Sequence, residues 1–210
     1  MPDFTFENIH RASGFRTIAG VDEAGRGPLA GPVVAGAVVL PEDFTLAGLD
    51  DSKKLTAARR EELYDLLLAD PQVRWASGSA DVAEIDRLNI LRATHLAMRR
   101  AVTALGEPPP DMVLIDGLPV RDFSWPQQAV VKGDSLSLSI AAASIIAKVV
   151  RDRLMVQLDA AFPCYRFAAH KGYGTAAHLA ALQEYGPTSH HRRFFQPVAQ
   201  CLLDFGDAGA

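Results

Sequence analysis

The sequence predicts an α/β fold, a mixed central sheet flanked by helices with a small helical segment at the C-terminus. Three observations lead there. An apolar strand, Thr17 to Asp22, is followed across a Gly/Pro-rich turn by the β-branched run Val33 to Leu40, a spacing that favours an antiparallel hairpin. The run Met112-Val113-Leu114-Ile115 is continuously apolar, as a strand covered on both faces must be. Stretches of helical period separate and follow these strands.

Residues up to about Phe15 carry no clear periodicity and read as a lead-in, 1–16, ahead of a main α/β body, 17–162, and a C-terminal helical segment, 163–210. After the hairpin, Asp50-Asp51-Ser52-Lys53-Lys54-Leu55 is a loop, and Thr56 is placed to cap a helix reaching Ala69. Val73 to Ala80 reads as a third strand. Val82 to Leu105 reads as helix broken near Asn89, with Ile85, Leu88, Leu91, Leu96 and Val102 as its apolar side. The proline run Pro108-Pro109-Pro110 ends it. Gln128 to Val131 is a further strand, and Ser137 to Ala161 a long helix whose first half is built of small residues that allow close packing on a sheet. Ser144, Lys148 and Arg151 share one side of that helix, which requires something polar opposite. Pro163 to His170 is irregular. Thr175 caps a short helix ended by Gly186-Pro187, and Val198 to Phe205 closes the chain with an apolar helix.

The 210 residues suffice for one domain with a large core. A net charge of -4 gives no global signature of nucleic-acid binding, so any contact with a polyanion needs local basic patches or bound metal. Cys164 and Cys201 lack zinc-ligand spacing and are expected as reduced core residues. No apolar run approaches a membrane span, and the N-terminus has no signal-like segment, so a cytoplasmic protein without membrane contact is expected.

Four acids stand at strand ends or at a strand-to-helix corner: Asp22, Glu23, Asp116 and Asp134. In an α/β sheet such ends converge on one edge. Successive strand residues point to opposite faces, so Asp22 and Glu23 serve one site only if the strand ends or bulges there, and Gly25 and Gly27 offer the break. Each acid alone reads equally as a turn or cap residue. Together they form an oxygen-only ligand set suited to Mg²⁺ or Mn²⁺, and two such ions can support in-line phosphoryl displacement by water. A nucleotide-binding P-loop is opposed by Pro32 after Gly31, where that motif requires lysine followed by serine or threonine.

Six pieces carry a resemblance over nearly the whole chain. They are Gly20-Val21-Asp22-Glu23-Ala24-Gly25-Arg26-Gly27-Pro28, Asp51-Ser52-Lys53, Ile115-Asp116-Gly117, Lys132-Gly133-Asp134, Ala142-Ala143-Ser144-Ile145-Ile146-Ala147-Lys148 and His170-Lys171-Gly172-Tyr173-Gly174-Thr175. In this order they resemble bacterial type II ribonuclease H. The resemblance implies a ribonuclease H-like fold and endonucleolytic cleavage of RNA in RNA/DNA hybrids. It extends to single ribonucleotides in duplex DNA, leaving 5′-phosphate and 3′-hydroxyl ends. It implies that Asp22, Glu23, Asp116 and Asp134 are catalytic and hold Mn²⁺ or Mg²⁺. Gly25, Arg26 and Gly27 would read the ribose 2′-hydroxyl, and Tyr173 would stack on the following deoxyribose. Lys53, Ser144, Lys148 and Lys171 are expected at phosphates or just behind the metal ligands. The expected partners are RNA/DNA hybrid and ribonucleotide-containing duplex DNA, with a sliding clamp as a candidate and the protein acting as a monomer. A non-catalytic hybrid-binding module is the alternative, and the retention of all four acids disfavours it.

Overall fold

A computed structural model describes residues 1–205, Phe205 by its backbone alone. Strands β1 (Ile18–Ala24), β2 (Val33–Val39) and β3 (Arg74–Ala80) form an antiparallel meander. Strand β4 (Met112–Asp116) pairs parallel to β1, and β5 (Gln127–Val130) pairs parallel to β4. The sheet order is therefore β3-β2-β1-β4-β5, with β1 central and the two strands that end in acids side by side.

The helices are α1 (Thr5–Ala12), α2 (Ala57–Ala69), α3 (Val82–Leu88), α4 (Ile90–Ala104), α5 (Leu138–Ala161), α6 (Phe167–His170), α7 (Ala176–Tyr185) and α8 (Gln196–Phe205). One face of the sheet buries Ala19, Val21, Ala35 and Ala37 against Ala97 and Ala101 of α4. The other lies under α5, whose Ala141, Ala142 and Ile146 pack with Val38 and with Leu63 and Leu67 of α2. The small residues of α5 do what their size allows. A Cβ at Gly20 would lie 2.1 Å from the Ser139 carbonyl carbon, and one at Gly36 would lie 2.4 Å from the Ala143 oxygen. Helix backbone thus rests almost directly on strand backbone, which fixes the depth of α5 and of the turn that precedes it.

The caps follow local chemistry. Thr56 accepts the Arg59 amide at 3.2 Å, and Asn89, at φ 69°, separates α3 from α4 and accepts the Arg92 amide at 3.1 Å. Other expectations need correction. The first residues are an ordered helix, α1, tied to the body by Glu7, which is fully buried and accepts from the Ser137 hydroxyl and the Ser139 amide at 2.7 and 3.0 Å. Its one buried helical residue is an acid facing the N-terminus of α5, so no apolar stripe announces it. Leu91 is exposed, because the buried side of α4 is carried by the small residues Ala93, Ala97 and Ala101 with Met98 and Val102. The stretch after Pro163 is a 3-10 turn followed by α6. Cys201 is buried as expected, but Cys164 is exposed.

Gly20→Ala is expected to lower stability by about 1–3 kcal/mol through overpacking against α5. A urea melt should show a lower midpoint at unchanged m-value, and an unchanged midpoint would contradict this close approach.

Candidate active site

The ladder between β1 and β2 runs regularly through Ala24 opposite Val34, whereas pairing with β4 stops at Val21 opposite Ile115. There is no bulge at the acid pair. The pleat therefore sends Asp22 to the same face as Gly20, toward α5, and Glu23 to the face of α4. Asp116 follows Leu114 onto the α5 side. Asp134 arrives in a 3-10 turn, Gly133–Ser135, that enters α5, while Ser137 is the helix cap proper and accepts the Ile140 amide at 3.2 Å. One oxygen from each of Asp22, Asp116 and Asp134 falls within 4.8 Å of the others. Glu23 lies outside that set and pairs with Arg26, Oε1 to Nη1 at 3.3 Å.

The turn and the carboxylates hold one another. Asp116 Oδ1 accepts the Gly133 amide at 2.7 Å and the Asp134 amide at 3.4 Å, and Asp22 Oδ1 accepts the Glu23 amide at 2.6 Å. Their electrostatics are unfavourable. Burial, and then the charges of Glu23 and Asp116, hold the Asp22 carboxyl well above the usual range. Burial and the charges of Asp116 and Asp51 raise Asp134 against the pull of Lys53. Burial also raises Glu23, opposed by Arg26. Lys53 and Arg26 offset only part of this charge, and an oxygen-only set of this kind fits a hard divalent cation.

The lysines differ in what they pair with. Lys53 Nζ stands 3.5 Å from Asp134 Oδ2; burial works against its charge, but Asp22, Asp134, Asp51 and Asp116 together hold its pKa above the ordinary value. Ser144, expected at the substrate or just behind the metal ligands, is 2% exposed; it donates to Ala141 O at 2.8 Å and accepts the Ser52 amide at 3.3 Å. It holds the loop that carries Lys53. Lys148 is drawn to Asp152 at 2.6 Å, and the Lys171 ammonium folds back onto the Ala168 carbonyl.

The glycine-flanked loop is built from behind by two buried arginines. Arg192 donates to Gly25 O at 2.6 Å, Arg26 O at 2.8 Å and Gly31 O at 2.8 and 3.0 Å. Arg151 donates to Pro32 O at 3.0 Å, Ala30 O at 3.3 Å and Lys171 O at 3.1 Å. These carbonyls are the polar surface that Arg151 requires opposite it. Gly25, at φ 98°, must be glycine: a Cβ would lie 1.9 Å from Arg151 Nε. The Leu29 amide donates to Gly172 O at 2.8 Å, and a Cβ at Gly27 would lie 3.7 Å from the Tyr173 ring, which is 46% exposed. The two loops thus form one surface beside the aspartates. Arg192 is fully buried but isolated from any apolar period, so the hydrophobic pattern does not register it.

The family model for Ribonuclease HII matches residues 19–198. The chain belongs to the ribonuclease HII family. The ribonuclease HII of Geotalea uraniireducens is 55% identical over 195 residues, covering 93% of this chain and 89% of that protein. The Ruegeria pomeroyi ribonuclease HII is 58% identical over 202 residues, covering 96% and 85%. Among solved structures, that of the PCNA:RNase HII complex from Archaeoglobus fulgidus superposes with a TM-score of 0.73 at 26% identity, covering 86% of this chain and 95% of that one. Members of the ribonuclease HII family are nucleases that require divalent metal, and the aspartate cluster suits that requirement. No described helix is long and apolar enough to cross a membrane.

In this ribonuclease HII family member a histidine relay sets the tyrosine loop. The Thr188 amide donates to His191 Nδ1 at 3.0 Å, so a neutral His191 carries its proton on Nε2 and gives it to His178 Nε2 at 3.1 Å. His178 Nδ1 then donates to Tyr173 O at 2.9 Å. His170 stacks on His178 with centroids 4.5 Å apart and accepts the Gly172 amide at 3.2 Å. Burial, and then the neighbouring His178 ring that would compete for charge, pull the His191 pKa down from 6.5 to about 3.

Below pH 6.5 the unfolded chain takes up a proton at His191 that the folded chain refuses, so this contribution to stability is complete above 6.5 and is lost toward pH 3. Unfolding free energies measured between pH 6.5 and 5 should fall more steeply for the wild type than for His191→Gln. Parallel curves would contradict the neutral relay.

Proposed function

We propose that this chain hydrolyses the RNA strand of RNA/DNA hybrids and incises on the 5′ side of single ribonucleotides in duplex DNA, leaving 5′-phosphate and 3′-hydroxyl ends. The observation that carries the proposal is the approach of Asp22, Asp116 and Asp134 to within 4.8 Å beside the loop formed by Gly25, Arg26 and Gly27. In this reading the three aspartates hold Mn²⁺ or Mg²⁺, with Glu23 in reserve one strand position away. The bound cations supply Lewis-acid compensation of the charge that builds on the phosphate. A water oxygen forms a bond to phosphorus, the bond from phosphorus to O3′ breaks, and the departing oxygen takes up a proton to become the 3′-hydroxyl.

Selection of the cleaved step falls to the loops. The Gly25 and Arg26 carbonyls are fixed by Arg192 yet keep a second lone pair each, and a ribose 2′-hydroxyl can donate to such an acceptor where deoxyribose cannot. Tyr173, held by the His178 relay, offers its ring to the adjoining sugar. Lys53 balances the aspartates and can meet a phosphate oxygen. The Archaeoglobus fulgidus complex with PCNA supports a sliding clamp as a further partner of the C-terminal segment, whose Leu203 is 78% exposed. Residues 206–210 of that segment lie outside the described residues.

Purified protein with Mn²⁺ or Mg²⁺ should nick a duplex bearing one ribonucleotide on that ribonucleotide's 5′ side. Asp116→Asn should lower the rate by more than about 100-fold. Tyr173→Ala should cost about tenfold on the single ribonucleotide and less on a long hybrid. Binding without cutting would favour the hybrid-binding module, and equal losses on both substrates would remove Tyr173 from junction selection.

A further inference from the structure

Beyond the aspartate cluster, the face of the sheet covered by α4 carries an open groove of about 650 Å³. Its walls are α4 from its N-terminus to Arg99 and the connection that follows β4, and its polar lining is Asn89, Arg92, His95, Arg99, Arg121 and Asp122. Arg92 and Arg99, seven residues apart, lie on one side of the helix.

The groove is held in shape by its own hydrogen bonds. Arg99 Nη1 donates to the Arg121 carbonyl at 3.0 Å, and the Arg121 amide donates to His95 Nδ1 at 3.3 Å. His95 is 7% exposed and accepts at Nδ1, and burial followed by the charges of Arg99 and Arg121 keeps its ring less basic than usual. The positive charge of the groove therefore comes from the guanidiniums.

Those charges are uncompensated. Lys54, Arg59, Arg60, Arg100, Lys148 and Arg153 have carboxylate partners; Arg92, Arg99 and Arg121, like several scattered cations such as Arg16 and Lys132, have none among the described residues, but these three share one groove. Asp122 is the one acid in the lining and bridges none of the three. Three guanidiniums without a carboxylate partner, lining one groove of a chain with net charge -4, make that groove a local site for an anion. The groove also lies on the side of the sheet to which Glu23 and Arg26 turn, and the charge of Arg26 reaches His95. The loop proposed to read the ribose therefore lies on the same side of the sheet as the groove.

We propose that Arg92, Arg99 and Arg121 form a phosphate-binding groove that grips the sugar-phosphate backbone of the duplex beyond the cleaved step. This rests on the nuclease reading above and extends its footprint from the junction to the flanking duplex. The contact is with phosphates, so it confers affinity and register without sequence preference. It also meets the requirement, set by the overall negative charge, for a local basic patch.

The test is binding rather than cutting. Fluorescence anisotropy with a duplex of about 20 base pairs carrying one ribonucleotide is measured in EDTA across a series of salt concentrations. The wild type is compared with Arg92→Gln/Arg121→Gln and Arg92→Lys/Arg121→Lys. The glutamine variant should bind about tenfold more weakly and lose about 2 from the slope of log affinity against log salt, near 1 for each phosphate contact. The lysine variant should recover the slope, and all three proteins should share one melting temperature. A glutamine variant that keeps the wild-type slope, or a wild type with no salt-dependent binding, would overturn the groove. Because no cleavage is read, the two readings separate. A groove effect in a protein that fails to cut would sink the nuclease alone, and cutting with an unchanged slope would sink the groove alone.

Discussion

Three aspartate carboxylates within 4.8 Å of one another repel, and much of the structure reads as the means of holding them there. Two stand on neighbouring parallel strands whose register the sheet fixes, and the third is brought in by a turn whose amides donate to Asp116. That turn is placed by α5, and α5 by the backbone contact at Gly20 and Gly36. A relaxed arrangement would let the carboxyls separate into water. Here the energy of a well-packed core keeps an unfavourable cluster together, as a preorganised cation site requires.

The second dependency is the shared scaffold of the two recognition loops. Arg151 from α5 and Arg192 from beyond α7 spend their guanidinium protons on backbone carbonyls between Gly25 and Pro32 and on that of Lys171. Residues separated by about 170 positions thereby become one surface. The histidine relay completes it by fixing the Tyr173 carbonyl with neutral rings. Rigidity here has a chemical purpose, because telling a ribose from a deoxyribose depends on one hydroxyl meeting an acceptor already in place.

The fold was largely legible because its strands end in acids or turns and its helices begin at Thr56, Asn89, Ser137 and Thr175, where side-chain chemistry is local. The convergence of Asp22, Asp116 and Asp134 followed from the strand-end rule. What stayed hidden was buried polarity. Glu7 and Arg192 are buried, yet hydrophobic periodicity cannot register them, since their partners lie far along the chain, whereas the helical spacing of Arg151 does call for a polar surface opposite it. The expectation that a break would bring Asp22 and Glu23 to one site met an unbroken ladder through Ala24, so the pleat divides them between faces. Leu91 is exposed because the small residues Ala93, Ala97 and Ala101 let α4 approach the sheet, a face that side-chain size alone does not mark.

The central claim, that the fold holds the aspartates in a repulsive cluster for the sake of a cation, is tested most directly by thermal melting of wild type and Asp22→Asn at neutral pH, with and without Mn²⁺. Removing one charge should raise the melting temperature of the metal-free protein. In Mn²⁺ the order should reverse, because the wild type gains stability from binding that the variant has lost. An Asp22→Asn protein less stable than the wild type without metal, or a wild type indifferent to Mn²⁺, would contradict the account.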